Sequence, residues 1–289
     1  MRRLAGVSPR RYAALAVALA AAGLLAGCAV MRVAYDNADT FLRWRAGNYV
    51  ELEGGQAQEL EERIDAFHAW HRAHALPKYE ALAREAARRV TAGLSPEDLV
   101  WGYDSLTAQA KEGLREGAMR IAPLLDGLDA SQHERIEKGF AEDNRRFARD
   151  YLRGSEEERR KRRVKRVVGR LEDWVGTLSE PQVERVRRFA EQVSGVDELR
   201  AADRRRLQDE FLDIVRRREA QRRLPELAAN WERGRDPAYA QAARRFRSEY
   251  GALLLDFERS LSPEQRGRAA ARLRAHAEDF RALSAAARR

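Results

Sequence analysis

From about residue 31 to the C-terminus, apolar residues recur every three or four positions, and no run alternates with a period of two. The first spacing puts a seam on one face of an α-helix, whereas a half-buried strand needs strict alternation. The chain must therefore bury its apolar surface with helices alone. The expected fold class is all-α, a multi-helix bundle of about ten helices with no sheet.

The seams can be followed in order. Residues 31–50 carry Tyr35, Phe41, Leu42, Trp44 and Tyr49; residues 56–75 carry Ala57, Leu60, Ile64, Phe67, His71 and His74. Pro77 ends that helix or starts the next, which uses Tyr79, Leu82, Ala86 and Val90. A helix from Pro96 is expected to bury Leu99, Tyr103, Leu106, Ala110 and Leu114, with Pro123 and Gly127 breaking it. Ile136, Phe140, Phe147 and Tyr151 mark another, and Val164, Val167, Val168, Leu171 and Trp174 the one after Ser155. Val186 and Phe189, then Phe211 and Ile214, then Tyr250 and Leu253, then Leu273 and Phe280 mark the last four. The five tryptophans (44, 70, 101, 174 and 231) lie on or beside these seams and are expected to anchor the core. Arg153-Gly154-Ser155 is the clearest turn near the middle, and a subdivision near 154 would fall there; otherwise residues 28–289 form one all-helical domain.

One pattern returns at helix starts: LSPED at Leu94–Asp98, LDASQ at Leu128–Gln132, LSEPQ at Leu178–Gln182 and LSPEQ at Leu261–Gln265, with a degenerate LEGGQ at Leu52–Gln56. Ser95, Asp129, Ser179 and Ser262 are placed to cap a helix through a side-chain oxygen. Three residues on, Gln132, Gln182 and Gln265 can reach back to the cap's own N–H, which makes a capping box; Asp98 holds the same place in the first copy of the motif. Pro96 and Pro263 suit the first helical position, which needs no donor. Each cap is worth about 1 kcal/mol.

The N-terminus fixes a destination. Arg2, Arg3, Arg10 and Arg11 precede an Ala/Leu/Val run from Ala13 to Leu25, too short for a mature span, which needs about 20 apolar residues. That is the pattern of a secretory leader over residues 1–27. Its ending, Leu25-Ala26-Gly27-Cys28, resembles a bacterial lipobox, which implies cleavage before Cys28 and covalent lipid on that residue. Cys28 is the chain's one cysteine, so no intrachain disulfide can form. With more than one acyl chain the anchor is stable. Ala29, rather than Asp, follows; by resemblance to lipoprotein sorting in enteric bacteria this implies the periplasmic face of the outer membrane rather than the inner membrane. Losing the leader removes four arginines and no acid, so the net charge falls from +9 to +5. Export excludes nucleic acid as a partner.

Two wider resemblances follow. The helix-start copies resemble the L-T-x-x-Q motifs of the Spy/CpxP periplasmic chaperones, helical cradles that hold unfolded clients without ATP. The order lipobox, aromatic first helix, Trp70-His71-Arg72 with Leu76-Pro77-x-Tyr79, Asp173-Trp174-Val175-Gly176 leading into LSEPQ, and a C-terminal LSPEQR looks like a family of proteobacterial helical lipoproteins with no assigned function. That resemblance covers most of the chain. Gly54-Gly55 replaces the middle of its second helix-start motif, which weakens that start.

Few residues carry chemistry by pattern. His68, His71 and His74 are three apart around Trp70, so a pair shares a helix face and can ligate a metal; no HExxH is present, and core histidines are the plainer reading. Trp70, His71, Arg72 and Tyr79 are candidate binding residues. So are Arg159, Arg160, Arg162 and Arg163, in the run Glu156-Glu157-Glu158-Arg159-Arg160-Lys161-Arg162-Arg163-Val164-Lys165-Arg166. Acids before bases suit the helix dipole, and Glu158 and Arg162 are spaced to pair. A solvated face is the plain reading; a stripe meeting anionic lipid, lipopolysaccharide phosphates or acidic clients is the other. Neither a G-x-S-x-G, a Walker A loop nor a dinucleotide fingerprint occurs. The expectation is a non-enzymatic, lipid-anchored binding or chaperone-like module for unfolded envelope proteins, with no cofactor beyond the lipid. A scaffold for one folded envelope protein is the alternative, and a histidine metal site the third reading.

Overall fold

The computed structural model describes residues 32–286 except residue 34; residues 1–27, expected to be a leader, and Cys28 lie outside the described residues. Eleven α-helical segments and no strand are found among the described residues. α1 (Ala38–Gly47) precedes α2 (Gln56–Trp70), and a π-helical turn, His71–Ala75, carries α2 into α3 (Leu76–Ala92). α4 (Pro96–Asp126) is the longest; α5 (Ala130–Phe147) ends in a second π turn, Ala148–Leu152. α6 (Glu156–Val175), α7 (Glu180–Gln192), α8 (Val196–Arg216), α9 (Ala220–Ala229), α10 (Pro237–Arg259) and α11 (Pro263–Ala286) follow.

One expected break is confirmed and one corrected. Pro77 starts the next helix rather than ending the one before: a π turn shifts the hydrogen-bond register ahead of it, the Leu76 N–H reaches the His71 carbonyl, and Pro77 falls in the first turn of α3, where no donor is needed. Pro123 sits inside α4, which continues to Asp126.

The largest core cluster joins Val167, Leu171 and Val175 of α6 to Val186 and Phe189 of α7 and Leu253 and Phe257 of α10. A second uses small residues: Ala118 and Ala122 of α4 let α9 approach closely with Ala220 and Leu224, and Ile214 of α8 closes it. α3 lies along α11 through buried alanines, among them Ala83, Ala87, Ala270 and Ala277. Helices from before Gly154 thus pack on helices from after it.

Three expectations about burial fail. None of the five tryptophans is buried; Trp44 and Trp174 are exposed, and the others sit half-buried, where a large ring can cover the core while its N–H stays wet. Arg163, read as part of a surface stripe, is only 6% exposed. It lies four residues before Val167 and eight before Leu171, on the buried face of α6. The seam of α4 is the third: Tyr103, Leu106, Ala110 and Leu114 are exposed, Leu106 at 67% and Leu114 at 52%. α2 and α9 cover only the C-terminal half of this helix, where a side chain at Gly117 would meet the Phe67 ring and α9 packs on Ala118 and Ala122.

Candidate functional site: an arginine-lined cleft

The helix-start motifs do more than cap. Ser95 and Asp98 form the expected box, each side chain meeting the other's N–H at 3.2 and 2.9 Å, and so do Asp129 with Gln132 and Ser262 with Gln265. At α7 the Gln182 Oε1 accepts from the Ser179 N–H at 3.0 Å. The glutamines then pair across the fold. Gln182 Nε2 donates to Gln265 Oε1 (2.9 Å) and to the Ser260 carbonyl (3.0 Å). Gln265 Nε2 donates back to Gln182 Oε1 (3.1 Å) and to the Thr177 carbonyl (3.0 Å). Gln132 and Gln56 do the same: Gln132 Nε2 donates to Gln56 Oε1 and the Glu51 carbonyl, both at 2.7 Å, while Gln56 answers with longer contacts of 3.4 and 3.5 Å. Gln56 still holds the Glu53 N–H, but Gly55 supplies no side-chain cap, as the Gly54-Gly55 departure implies. An amide can accept and donate at once; a carboxylate cannot donate. That is why Asp98, which pairs with Arg89 instead, makes no such lock. One box was missed: Glu158 accepts from the Ser155 N–H at 2.8 Å. It is therefore not the partner of Arg162, which donates to the Arg153 carbonyl.

Trp70, His71, Arg72 and Tyr79 are brought together, but as a joint. Tyr35 Oη lies 2.7 Å from His71 Nδ1, and the His71 ring meets Tyr79 edge-on at 5.4 Å. Arg72 donates to the Leu283 carbonyl at 3.2 Å and pairs with Asp36, stitching the N-terminal segment to α11. The three histidines do not converge: His68 packs on Tyr35 at 4.8 Å, and His74 Nδ1 approaches the Trp70 carbonyl at 3.2 Å. Among the described residues, no group of three His, Cys, Asp or Glu side chains is placed to hold a metal ion. Burial holds His71 below the ordinary histidine value, with neighbouring His68 adding to it. Burial and then Arg72 lower His68; burial and then Arg272 lower His276. Each takes a proton more readily in the unfolded chain. The stability they contribute is complete above the unfolded value of about 6.5 and is lost as pH falls through it and through the depressed folded values. The midpoint of thermal unfolding should therefore be level near neutrality and decline as pH falls below about 6.5. His71→Gln should shrink that decline, and an identical slope in the variant refutes the assignment.

The stripe is mostly spoken for. Arg159 binds Glu156 (2.7 Å), Glu198 (3.3 Å) and the Gly154 carbonyl (2.9 Å); Arg160 binds Glu191 at 3.1 Å. Arg163 donates to the Ala190 carbonyl at 2.9 Å and pairs with Asp197 at 3.4 Å. These four arginines hold the fold together and present no common binding face.

Four unpaired arginines gather one step round α6. Arg166 and Arg170 flank the buried face, and with Arg200 of α8 and Arg247 of α10 they line a cleft of about 420 Å³. None of the four has a carboxylate within 4.0 Å or a protein hydrogen bond among the described residues; exposed arginines such as Arg115, Arg145 and Arg188 share that lack, and what sets these four apart is that they line one recess. Three of them rest on rings instead. Arg166 lies 4.7 Å from the Tyr151 ring centre, Arg247 4.7 Å from Tyr103, and Arg200 5.6 Å from Tyr151. A guanidinium stacked on a ring spends its face there and keeps its in-plane N–H donors for an anion. Burial lowers the Arg166 pKa, with the neighbouring Arg163 and Arg162 charges acting in the same direction. The one carboxylate in the wall, Asp197, is taken by Arg163. Phe189, Val196 and Phe246 make the apolar floor, and burial pushes the Tyr239 phenol up, so it stays a neutral donor. This surface can hold an anion beside an apolar group. Sequence reading reached Arg163 but not Arg170, Arg200 or Arg247; the spacing 163, 166, 167, 170 marks the α6 part, while the α8 and α10 parts arrive only through folding.

A family model described as a family of unknown function (DUF6279) matches residues 48–239. The matched stretch takes in both sides of the Gln56–Gln132 lock and most of the cleft, and stops short of Arg247 and Gln265. No curated protein and no solved structure matches the chain.

Proposed function

The chain belongs to this family of unknown function, and from that premise we propose that it works as a non-enzymatic binding module of the cell envelope, one that holds acidic segments of incompletely folded exported proteins in the arginine-lined cleft. In this reading the protein is exported, acylated on Cys28 and held on the periplasmic face of the outer membrane. The observation that carries it is the set of four guanidinium groups with no carboxylate partner around an aromatic, apolar-floored recess. Unfolded polypeptides expose acids and apolar side chains together, and the cleft offers a counterpart to each. The L-A-G-C sequence supports the placement, and the paired helix-start motifs support the likeness to the L-T-x-x-Q chaperones. No helix among the described residues is long and apolar enough to cross a membrane, so the lipid on Cys28 would be the anchor.

The test is suppression of aggregation. The purified protein is added in several-fold excess to a reduced, acidic client, and light scattering is followed. The expected result is suppression that weakens at high salt and fails in the triple variant Arg166→Glu, Arg200→Glu, Arg247→Glu. Absent suppression by the unaltered protein, or equal suppression by the variant, overturns the reading.

The second reading, a scaffold for one folded envelope protein, is favoured by α1. There Phe41 and Trp44 are exposed on one face with ring centres 5.7 Å apart, a compact anchor of the kind that dominates protein interfaces. Crosslinking in cells separates the two: a single dominant adduct favours the scaffold, and many adducts favour the holding module.

A further inference from the structure

The open seam of α4 joins two recesses. At one end Tyr103 forms part of the arginine-lined cleft, beneath Arg247 at 4.7 Å. At the other end Leu114 borders a second cleft of about 270 Å³, walled by apolar groups that include Phe140, Leu207, Phe211, Leu224 and Trp231. Between them Leu106 and Ala110 are exposed on the same helix face, and the backbone at Gly113 has open space beside it. The four seam residues follow the three-and-four spacing that normally marks a covered face. Here the covering element is missing from the chain's own described helices.

We propose that this seam is covered by an extended polypeptide segment of a client, laid along α4 with acidic side chains among Arg166, Arg200 and Arg247 and one large apolar side chain in the Leu114 recess. The inference rests on the binding-module reading and adds to it a second subsite and a register. Eleven residues separate Tyr103 from Leu114, which at 1.5 Å per residue is about 16 Å. An extended chain advances about 3.3 Å per residue, so about five residues bridge the two recesses. Charge selects what lies at one end, and the apolar wall selects the other. The separation is fixed by a rigid helix. A polypeptide carries both groups on a regular repeat, with backbone amides that stay solvated along the exposed ridge. A bilayer surface has no single apolar group to seat in a recess walled by Leu207, Phe211 and Leu224.

The experiment uses the full chain in mild detergent and fluorescent peptides read by anisotropy. Each peptide carries four acidic residues and one leucine, set two, five or eight residues away, in an otherwise Ser/Gly/Thr sequence; a fourth peptide has no leucine. The expected result is tightest binding at a separation of about five, about tenfold tighter than the leucine-free peptide, the worth of one buried leucine side chain. Leu114→Ser should erase that advantage and leave the leucine-free peptide unaffected. Both leucines are solvent-exposed, so Leu106→Asp and Leu114→Ser should unfold at the temperature of the unaltered protein. Affinity that ignores the separation, or a Leu114→Ser variant that keeps the tenfold advantage, overturns the seam while leaving the cleft reading intact. No binding of any acidic peptide, or binding unaffected by Arg166→Glu with Arg200→Glu, overturns both. Binding of anionic vesicles with no peptide binding assigns the surface to lipid and also overturns both.

Discussion

Gln182→Glu should lower the stability of the fold by about 3 kcal/mol, a larger loss than any surface change of the same size would cause. The side chain is 2% exposed. Its Oε1 can still accept from the Ser179 N–H, but the donor is gone. In its place an oxygen faces the Ser260 carbonyl and the Gln265 Oε1, positions now 3.0 and 2.9 Å from Nε2. Three acceptors then meet with no hydrogen between them. For a domain of this size the loss corresponds to a fall in Tm of roughly 6–12 °C. The new carboxyl regains a donor by taking a proton, so its folded pKa lies above its unfolded one. The variant should therefore be closest to the parent at low pH and fall further behind as pH rises. Asp98→Asn is the control. There the acceptor for the Ser95 N–H is kept and no cross-fold donor is lost; the Arg89 pair becomes a neutral contact, but Arg89 keeps Glu85, so the expected cost is about 1 kcal/mol. Melting curves of both variants at two pH values settle the matter; a Gln182→Glu protein that melts within about 2 °C of the parent at neutral pH refutes the lock's contribution.

Phe189→Ala should cost about 3–5 kcal/mol, the range for removing a well-packed ring from a core that cannot collapse around the hole. Phe189 is almost fully buried in the largest core cluster and meets Phe246 and Tyr250 edge-on, each at 5.6 Å. Those partners stack on one another on α10, so they are not free to swing into the void. The same ring floors the cleft, and the variant should lose acidic-peptide binding along with stability. Phe246→Ala removes a more exposed ring and should cost markedly less. Urea unfolding gives the comparison directly, and equal midpoints for the two variants would contradict the packing described.

The all-α class and the helix starts were legible because both are local. A capping box is written within four residues, and a seam within a dozen. What escaped was set at a distance. The glutamine locks join residues 76 and 83 apart, and the only sequence trace of them is the choice of Gln over Asp or Glu at the third helical position. Periodicity showed that α4 has an apolar face but could not show that no helix among the described residues comes to cover it. Arg163 was readable and was missed, since it shares a face with Val167 and Leu171. The cleft was half readable. Its α6 arginines have telling spacing, whereas Arg200 and Arg247 join them because α7 and the core it carries bring α8 and α10 against α6.

Each glutamine lock is built from two like parts that offer one another the same donor, the same acceptor and the same backbone carbonyl. Such a contact is self-complementary, in the way a twofold interface between identical subunits is. Nothing in the lock itself tells one helix start whether its counterpart belongs to its own chain or to a second molecule. The choice falls to the connecting fold, whose shared core clusters keep the proper counterpart close at hand. Closure within one chain is thus favoured in dilute conditions, and crowding the molecules together on a surface narrows the margin by which each chain closes on itself.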